Sequence, residues 1–223
     1  MNDLISIIIP VRNGANFIGE AIEHIKSQGM NVELIVVDDA SDDETVSIAE
    51  SYGCTIVRHD TRKGQVAGKN SGLKAAHGDF ILFHDHDDLM RPGALDALYS
   101  SFDGSTSAVE AMVQDFYSPG LSDAQKHMTP IKEEPYYGLF TGAILMRKSV
   151  FDIIGYFSET VTAGEIIDWE FKMKDHGLVC KKIDFIATDR RVHSSNYGKT
   201  NRDVEFANYA ALLRARLAKM NKV

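Results

Sequence analysis

Cysteine is scarce in this sequence, with two residues, Cys54 and Cys180, among 223. Two thiols so far apart make neither a disulfide framework nor a metal-binding spacing, so both are expected as buried small hydrophobes. No apolar run approaches the ~20 residues that a membrane-crossing helix needs. The start, MNDLISIIIPVRNG, lacks the basic stretch of a secretion signal, so a cytoplasmic location is expected. Positive charge is also short: 24 Lys and Arg stand against 32 Asp and Glu, a net charge of −8. Nucleic-acid binders carry a basic face, so a phosphate-backbone partner is not expected. Two phosphate-binding signatures are missing as well. No Gly-x-x-x-x-Gly-Lys-Ser/Thr occurs, and no Gly-x-Gly-x-x-Gly follows the first apolar run, which weakens ATPase and dinucleotide readings.

What is present reads as an alternating α/β chain. Apolar residues make up 44% and charged residues 25%, an ordinary globular balance. Leu4–Val11, Val32–Val37, Thr55–His59 and Phe80–His84 are short, nearly continuous apolar runs, the mark of strands buried on both faces. Between them, Asn16–Gln28, Asp43–Tyr52 and Gln65–Ala76 carry helical spacing. The order β-α-β-α-β-α-β predicts a mostly parallel sheet covered by helices, with ligands bound at the carboxyl ends of its strands. After Pro92 the pattern predicts a helix over Pro92–Ser101 and strands over Ala108–Phe116, Ala143–Met146 and Val179–Ile186. Short helices are expected over Lys148–Ile154 and Asp168–His176. Ser118–Pro135 reads as a polar loop, and Asp203–Met220 as an amphipathic, net basic helix. The chain thus divides into a first half over 1–91, a second half over 92–200 and a terminal helix over 201–223.

Polar residues gather at the predicted strand ends. Pro10, Arg12 and Asn13 follow the first strand, Asp38 and Asp39 the second, and Asp85-His86-Asp87-Asp88 the fourth. Three carboxylates within four residues repel one another unless a cation sits among them, and Mg²⁺ or Mn²⁺ takes oxygen ligands of this kind. By itself an Asp-x-Asp is equally a solvated turn capping the next helix; the buried strand before it favours the metal reading. Likewise Asp168 alone reads as a cap for a helix beginning at Trp169, and His193 as a surface histidine.

The ordered segments IIIPVRNG, VVDDASDD, GQVAGKNSGLKAAHGDFILFHDHDD, TGAILMRKSVFDIIGYFSE, EIIDWEF and RRVHSSN resemble a family 2 glycosyltransferase of GT-A fold, from about Leu4 to Tyr197. The resemblance implies a Rossmann-like nucleotide-binding half fused to a smaller acceptor-binding half. It implies that Pro10, Arg12, Asn13, Asp38, Asp39, Lys69, Asp85 and His86 face a nucleotide sugar, and that Asp85, Asp87, Asp88 and His193 hold a divalent cation, Mn²⁺ or Mg²⁺. Asp168 falls where the family has its catalytic base; Ile167 stands where a second acid is common, and Glu165 lies three positions before Asp168. The implied activity is inverting, metal-dependent transfer of a sugar, UDP-linked by default, to a hydroxyl of a glycan or lipid-linked saccharide. The Gln-x-x-Arg-Trp motif of processive members is missing, so a polymerase is not expected. An inactive nucleotide-sugar-binding protein and a sugar-phosphate nucleotidyltransferase are the competing readings. The terminal helix is a candidate for peripheral membrane contact or for a homodimer.

Overall fold

The computed structural model describes residues 3–138, 140–160 and 164–193, together with Ala210, Arg214 and Arg216. Its first part runs β1 (Ile5–Val11), α1 (Ile18–Lys26), β2 (Val32–Asp38), α2 (Thr45–Ser51), β3 (Thr55–Arg58), α3 (Gln65–Ala75) and β4 (Phe80–Phe83). The second part adds β5 (Leu89–Met90), α4 (Ala94–Ser100), β6 (Thr106–Tyr117), α5 (Asp123–Met128), β7 (Ile144–Arg147), α6 (Ser149–Ile154), α7 (Glu165–Asp175) and β8 (Val179–Val192). One eight-stranded sheet joins the two in the order β3-β2-β1-β4-β7-β6-β8-β5. The pairings among β3, β2, β1 and β4 are all parallel, and β7 enters antiparallel between β4 and β6.

Burial explains why these runs became strands. Every residue of β1 is buried, with Ile5, Ile7, Ile9 and Val11 in one core layer and Ile8 in the other. Each such side chain contributes roughly 1.5–3 kcal/mol on leaving water, so a two-faced Ile-rich strand takes the centre of the sheet. α1 turns Ile18, Ala21, Ile22 and Ile25 onto the first layer. Ile166, Trp169 and Met173 of α7 fill the second, beneath Phe83, Phe151 and Phe157.

Several expectations are corrected. The segment Ser118–Pro135 is not structureless: it contains α5, closed by a reciprocal capping box between Ser122 and Gln125. The helix expected over Asp168–His176 begins at Glu165, after Gly164 with φ 85°, so Asp168 lies in its first turn and is not its cap. The reason is the stripe Ile166, Trp169, Met173, which reaches the core as one face only if the helix starts early. β8 extends to Val192 because β6 pairs with it as far as Tyr117↔Val192, and the polar end of β8 is matched by ion pairs Arg91–Asp189 and Arg190–Asp115. Both cysteines are half-buried rather than buried. Among the described residues no helix is long and apolar enough to cross a membrane. Of the helix expected over Asp203–Met220 only Ala210, Arg214 and Arg216 are described, each helical; the rest, with the membrane or dimer contact attached to it, lies outside the described residues.

Candidate active site

The carboxyl ends of β1, β2 and β4 lie side by side, because those strands are parallel neighbours. The loop after β1 is shaped by Asn13, whose φ of 53° is left-handed. The Asn13 N–H donates to Ser41 Oγ at 2.9 Å, and its side-chain oxygen accepts from Asp42 N at 3.1 Å. These bonds tie the β1–α1 and β2–α2 turns together. Pro10 packs against Gly68 of α3, where an added Cβ would lie 3.1 Å from the proline ring. Arg12 is exposed at the rim.

Asp38 and Asp39 have separate surroundings. One oxygen of Asp38 accepts from Ser41 N at 3.1 Å. Asp39 binds His59 Nδ1 at 2.8 Å, Lys63 N at 2.7 Å and Gly64 N at 2.8 Å, holding the loop that leads into α3. Burial alone would raise the Asp39 carboxyl, but these hydrogen bonds outweigh it and bring it below the usual range.

The acidic turn follows β4. Asp85 accepts from Gln65 Nε2 at 3.0 Å. Burial, with Asp87 nearby, raises its carboxyl although Lys69 opposes the shift. The His86 ring packs on Gly14, where an added Cβ would come to 2.5 Å from both that ring and Val11 Cγ2, so any other residue there would displace His86 or Val11. Asp87 Oδ2 meets His193 Nε2 at 2.7 Å, joining the end of β4 to the end of β8. Burial pushes the Asp87 carboxyl up, yet the His193 bond and the His86 charge prevail and it sits below its ordinary value. Asp88 turns toward β8, accepting from Arg191 N at 2.8 Å, and burial plus repulsion from Asp87 and Asp85 raise it well above the usual range.

Lys69 is buried, and its Nζ reaches Glu165 Oε1 at 2.5 Å and Thr141 Oγ1 at 3.0 Å. Glu165 would be raised by burial, but the Lys69 ammonium beside it keeps it below the ordinary range and charged. Asp168, one turn along α7, pairs with Lys172 at 2.9 Å. Of Glu165 and Asp168, two of the four carboxylates on α7, Glu165 is the one whose partner Lys69 also acts on Asp85 through its charge. Asn70 clamps the loop after α6, bonding Phe157 O and N at 2.9 and 3.1 Å and Glu159 at 3.0 Å. Sequence patterns give no signal for the Lys69–Glu165 contact, because 96 residues separate the partners.

The donor set of Asp85, Asp87 and His193 is oxygen and imidazole nitrogen, a chemistry that suits Mn²⁺ or Mg²⁺. Among the described residues no three His, Cys, Asp or Glu side chains stand together as a ready metal cluster. The residues fit a cation whose remaining ligands are substrate phosphates and water.

The family model for glycosyl transferase family 2 matches residues 6–158, more than half the chain. Among known relatives, the glycosyltransferase GlyG of Streptococcus pneumoniae serotype 4 is 28% identical over 129 residues, covering 55% of this chain and 42% of GlyG. The putative glycosyltransferase EpsH of Bacillus subtilis is 31% identical over 150 residues, covering 63% of this chain and 44% of EpsH. The chain therefore spans less than half the length of either relative. Among solved structures, the mannosyltransferase PcManGT of Pyrobaculum calidifontis, in complex with GDP-Man and Mn²⁺, superposes with a TM-score of 0.74 at 21% identity over 96% of this chain and 65% of that one. TarS of S. aureus with UDP-GlcNAc gives a TM-score of 0.66 at 22% identity over 88% of this chain and 60% of that one. At these identities the likeness shows the fold.

Proposed function

Since the chain belongs to glycosyl transferase family 2, we propose that it moves a sugar from a nucleoside-diphosphate sugar to an acceptor hydroxyl, with inversion and with Mn²⁺ or Mg²⁺. The observation that carries the reading is the 2.7 Å contact between Asp87 and His193, which brings residues 106 apart to the acidic turn at the mouth of the crevice. Arg12, Asn13 and Asp38 line the nucleotide end; Asp39 acts by holding the loop that frames it. Asp85, Asp87 and His193 hold the cation, with Asp88 behind them. The cation, when bound, neutralises charge on the departing diphosphate.

The chain's own residues supply the rest. Lys69 adds a buried positive charge beside Asp85, where the diphosphate would lie. Asp168 takes the proton of the acceptor hydroxyl: its carboxylate is 25% exposed and pairs only along the helix with Lys172, whereas Glu165 is buried and held by the Lys69 ammonium. A well-placed base is worth roughly 10²–10⁴ in rate. With no processive motif the product is a single added sugar on a glycan or lipid-linked saccharide, and UDP-sugars are the first donors to try.

The test is incubation with Mn²⁺ and UDP-, GDP- and dTDP-sugars, following free nucleoside diphosphate and the anomeric configuration of the product. Asp168→Asn is expected to lose at least about 100-fold in turnover with donor affinity kept, whereas Glu165→Gln is expected to lower stability by leaving Lys69 without its counter-charge. An Asp168→Asn variant that keeps near-normal turnover would remove Asp168 from the role. Retention of anomeric configuration, or turnover undiminished by EDTA, would refute the mechanism.

A further inference from the structure

The acidic turn is gripped from one residue that the reading above leaves without a role. We propose that Arg191 is a positioning residue: it fixes the backbone of the acidic turn so that Asp87 presents its carboxylate to the diphosphate-bound cation, and it couples that turn to the start of α1. The inference rests on the reading of the site as a metal–diphosphate site.

Arg191 reaches the turn twice. Its backbone N–H donates to Asp88 Oδ1 at 2.8 Å, and its Nε donates to the Asp87 carbonyl at 2.8 Å. With the His193 bond to Asp87, the last residues of β8 hold the backbone and side chains of two consecutive aspartates. The guanidinium is itself held. Its side chain is 6% exposed, Phe17 lies 5.2 Å from one side and Phe116 4.9 Å away, and Nη2 bonds Glu20 at 2.6 Å. Phe17 also stacks on the His193 ring at 4.8 Å. Phe17 stands directly before α1, which follows the turn carrying Arg12 and Asn13, so one aromatic ring touches both residues that grip Asp87.

The chemistry calls for arginine. A planar guanidinium stacks by its faces while its edge bonds a carbonyl at Nε and a carboxylate at Nη2; a lysine ammonium is a point charge and cannot do all three. The Glu20 end is half open to water, at 49% exposure, and contributes little by itself. The carbonyl bond to Asp87 is the part that sets geometry. Partners that orient metal ligands in this way are worth roughly 10- to 100-fold in metal affinity.

The experiment is calorimetric titration of UDP into the full chain, once with Mn²⁺ and once with EDTA, for wild type, Arg191→Gln, Arg191→Lys and Glu20→Gln. Arg191→Gln and Arg191→Lys are expected to lose roughly 10-fold or more of the affinity measured with Mn²⁺. The value in EDTA is expected to move by no more than about twofold, and Glu20→Gln to stay near that margin in both arms. A folded Arg191 variant that binds UDP with Mn²⁺ as wild type does overturns the proposal. So does an equal loss in both arms, and so does failure of both variants to fold, which would mark Arg191 as structural only. Wild type that binds neither UDP nor GDP with Mn²⁺ would remove the underlying reading too, an outcome separate from any effect of the variants.

Discussion

Asp38 and Asp39 are neighbours of the same type, and the structure gives them different tasks. Asp39 has two oxygens committed to His59, Lys63 N and Gly64 N, so it acts as a clamp on the α3 entry loop. Asp39→Asn should therefore destabilise the fold by roughly 1–3 kcal/mol, read as a lower denaturation midpoint. Asp38→Asn should leave the midpoint nearly unchanged and weaken UDP binding instead; a swap of the two outcomes would reverse the assignments. Tyr136 shows how burial sets a pH response. Its hydroxyl donates to Asp115 at 2.9 Å, and burial together with that bond pushes the phenol up to about 12. The protonated phenol is the form that the fold stabilises. Its contribution is complete below the ordinary tyrosine value near 10 and is lost as pH climbs from there toward 12. Tyr136→Phe should cost roughly 1 kcal/mol at neutral pH, and its gap from wild type should close across that alkaline window in thermal melts.

At the scale of elements, α3 is the instructive case. Glycine inside a helix usually costs about 1 kcal/mol relative to alanine, yet α3 carries both Gly68 and Gly72. An added Cβ at Gly72 would lie 2.2 Å from Ile8 Cγ2 and 3.1 Å from Val37 Cγ2. The bare backbone lets α3 sit against β1 and β2, which carries Lys69 to Glu165 and Asn70 to the loop after α6. Gly72→Ala should destabilise by roughly 1–3 kcal/mol, because overpacking exceeds the gain in helix propensity. Chemical denaturation checks the sign. A variant equal to or more stable than wild type would mean that α3 does not need this approach.

Across the whole molecule, the sheet joins the first four strands to the later ones through a short seam. β4 meets β7 at Phe80↔Arg147 and Ile81↔Met146, and the Arg147 guanidinium stands over the rings of Phe80 and Phe102. The core layer beneath Phe83 takes residues from both parts, including Trp169. Trp169 is the only tryptophan, so its fluorescence reports on the later part, whereas far-UV circular dichroism reports on the whole chain. Shared layers predict one cooperative transition, with the two signals coinciding in a denaturant titration. Two separated midpoints would show that the seam fails to couple the parts.

The sequence by itself determined the order of β1 to β4 and their helices, because alternation of apolar runs with helical spacing is a local property of the chain. It also placed Asp38, Asp39 and Asp85–Asp88 at strand ends, since each follows its strand directly. The ordered segments were enough to mark His193 and Asp168 as candidates. The early start of α7 and the full length of β8 were decided by tertiary structure, through the fit of Ile166 to the core and the pairing of charged side chains between distant strands. The Lys69–Glu165 pair and the grip of Arg191 on the acidic turn were decided there too. Those contacts join residues 96 and 104 apart, and no periodicity or spacing in a chain records which distant side chains a shared core will press together.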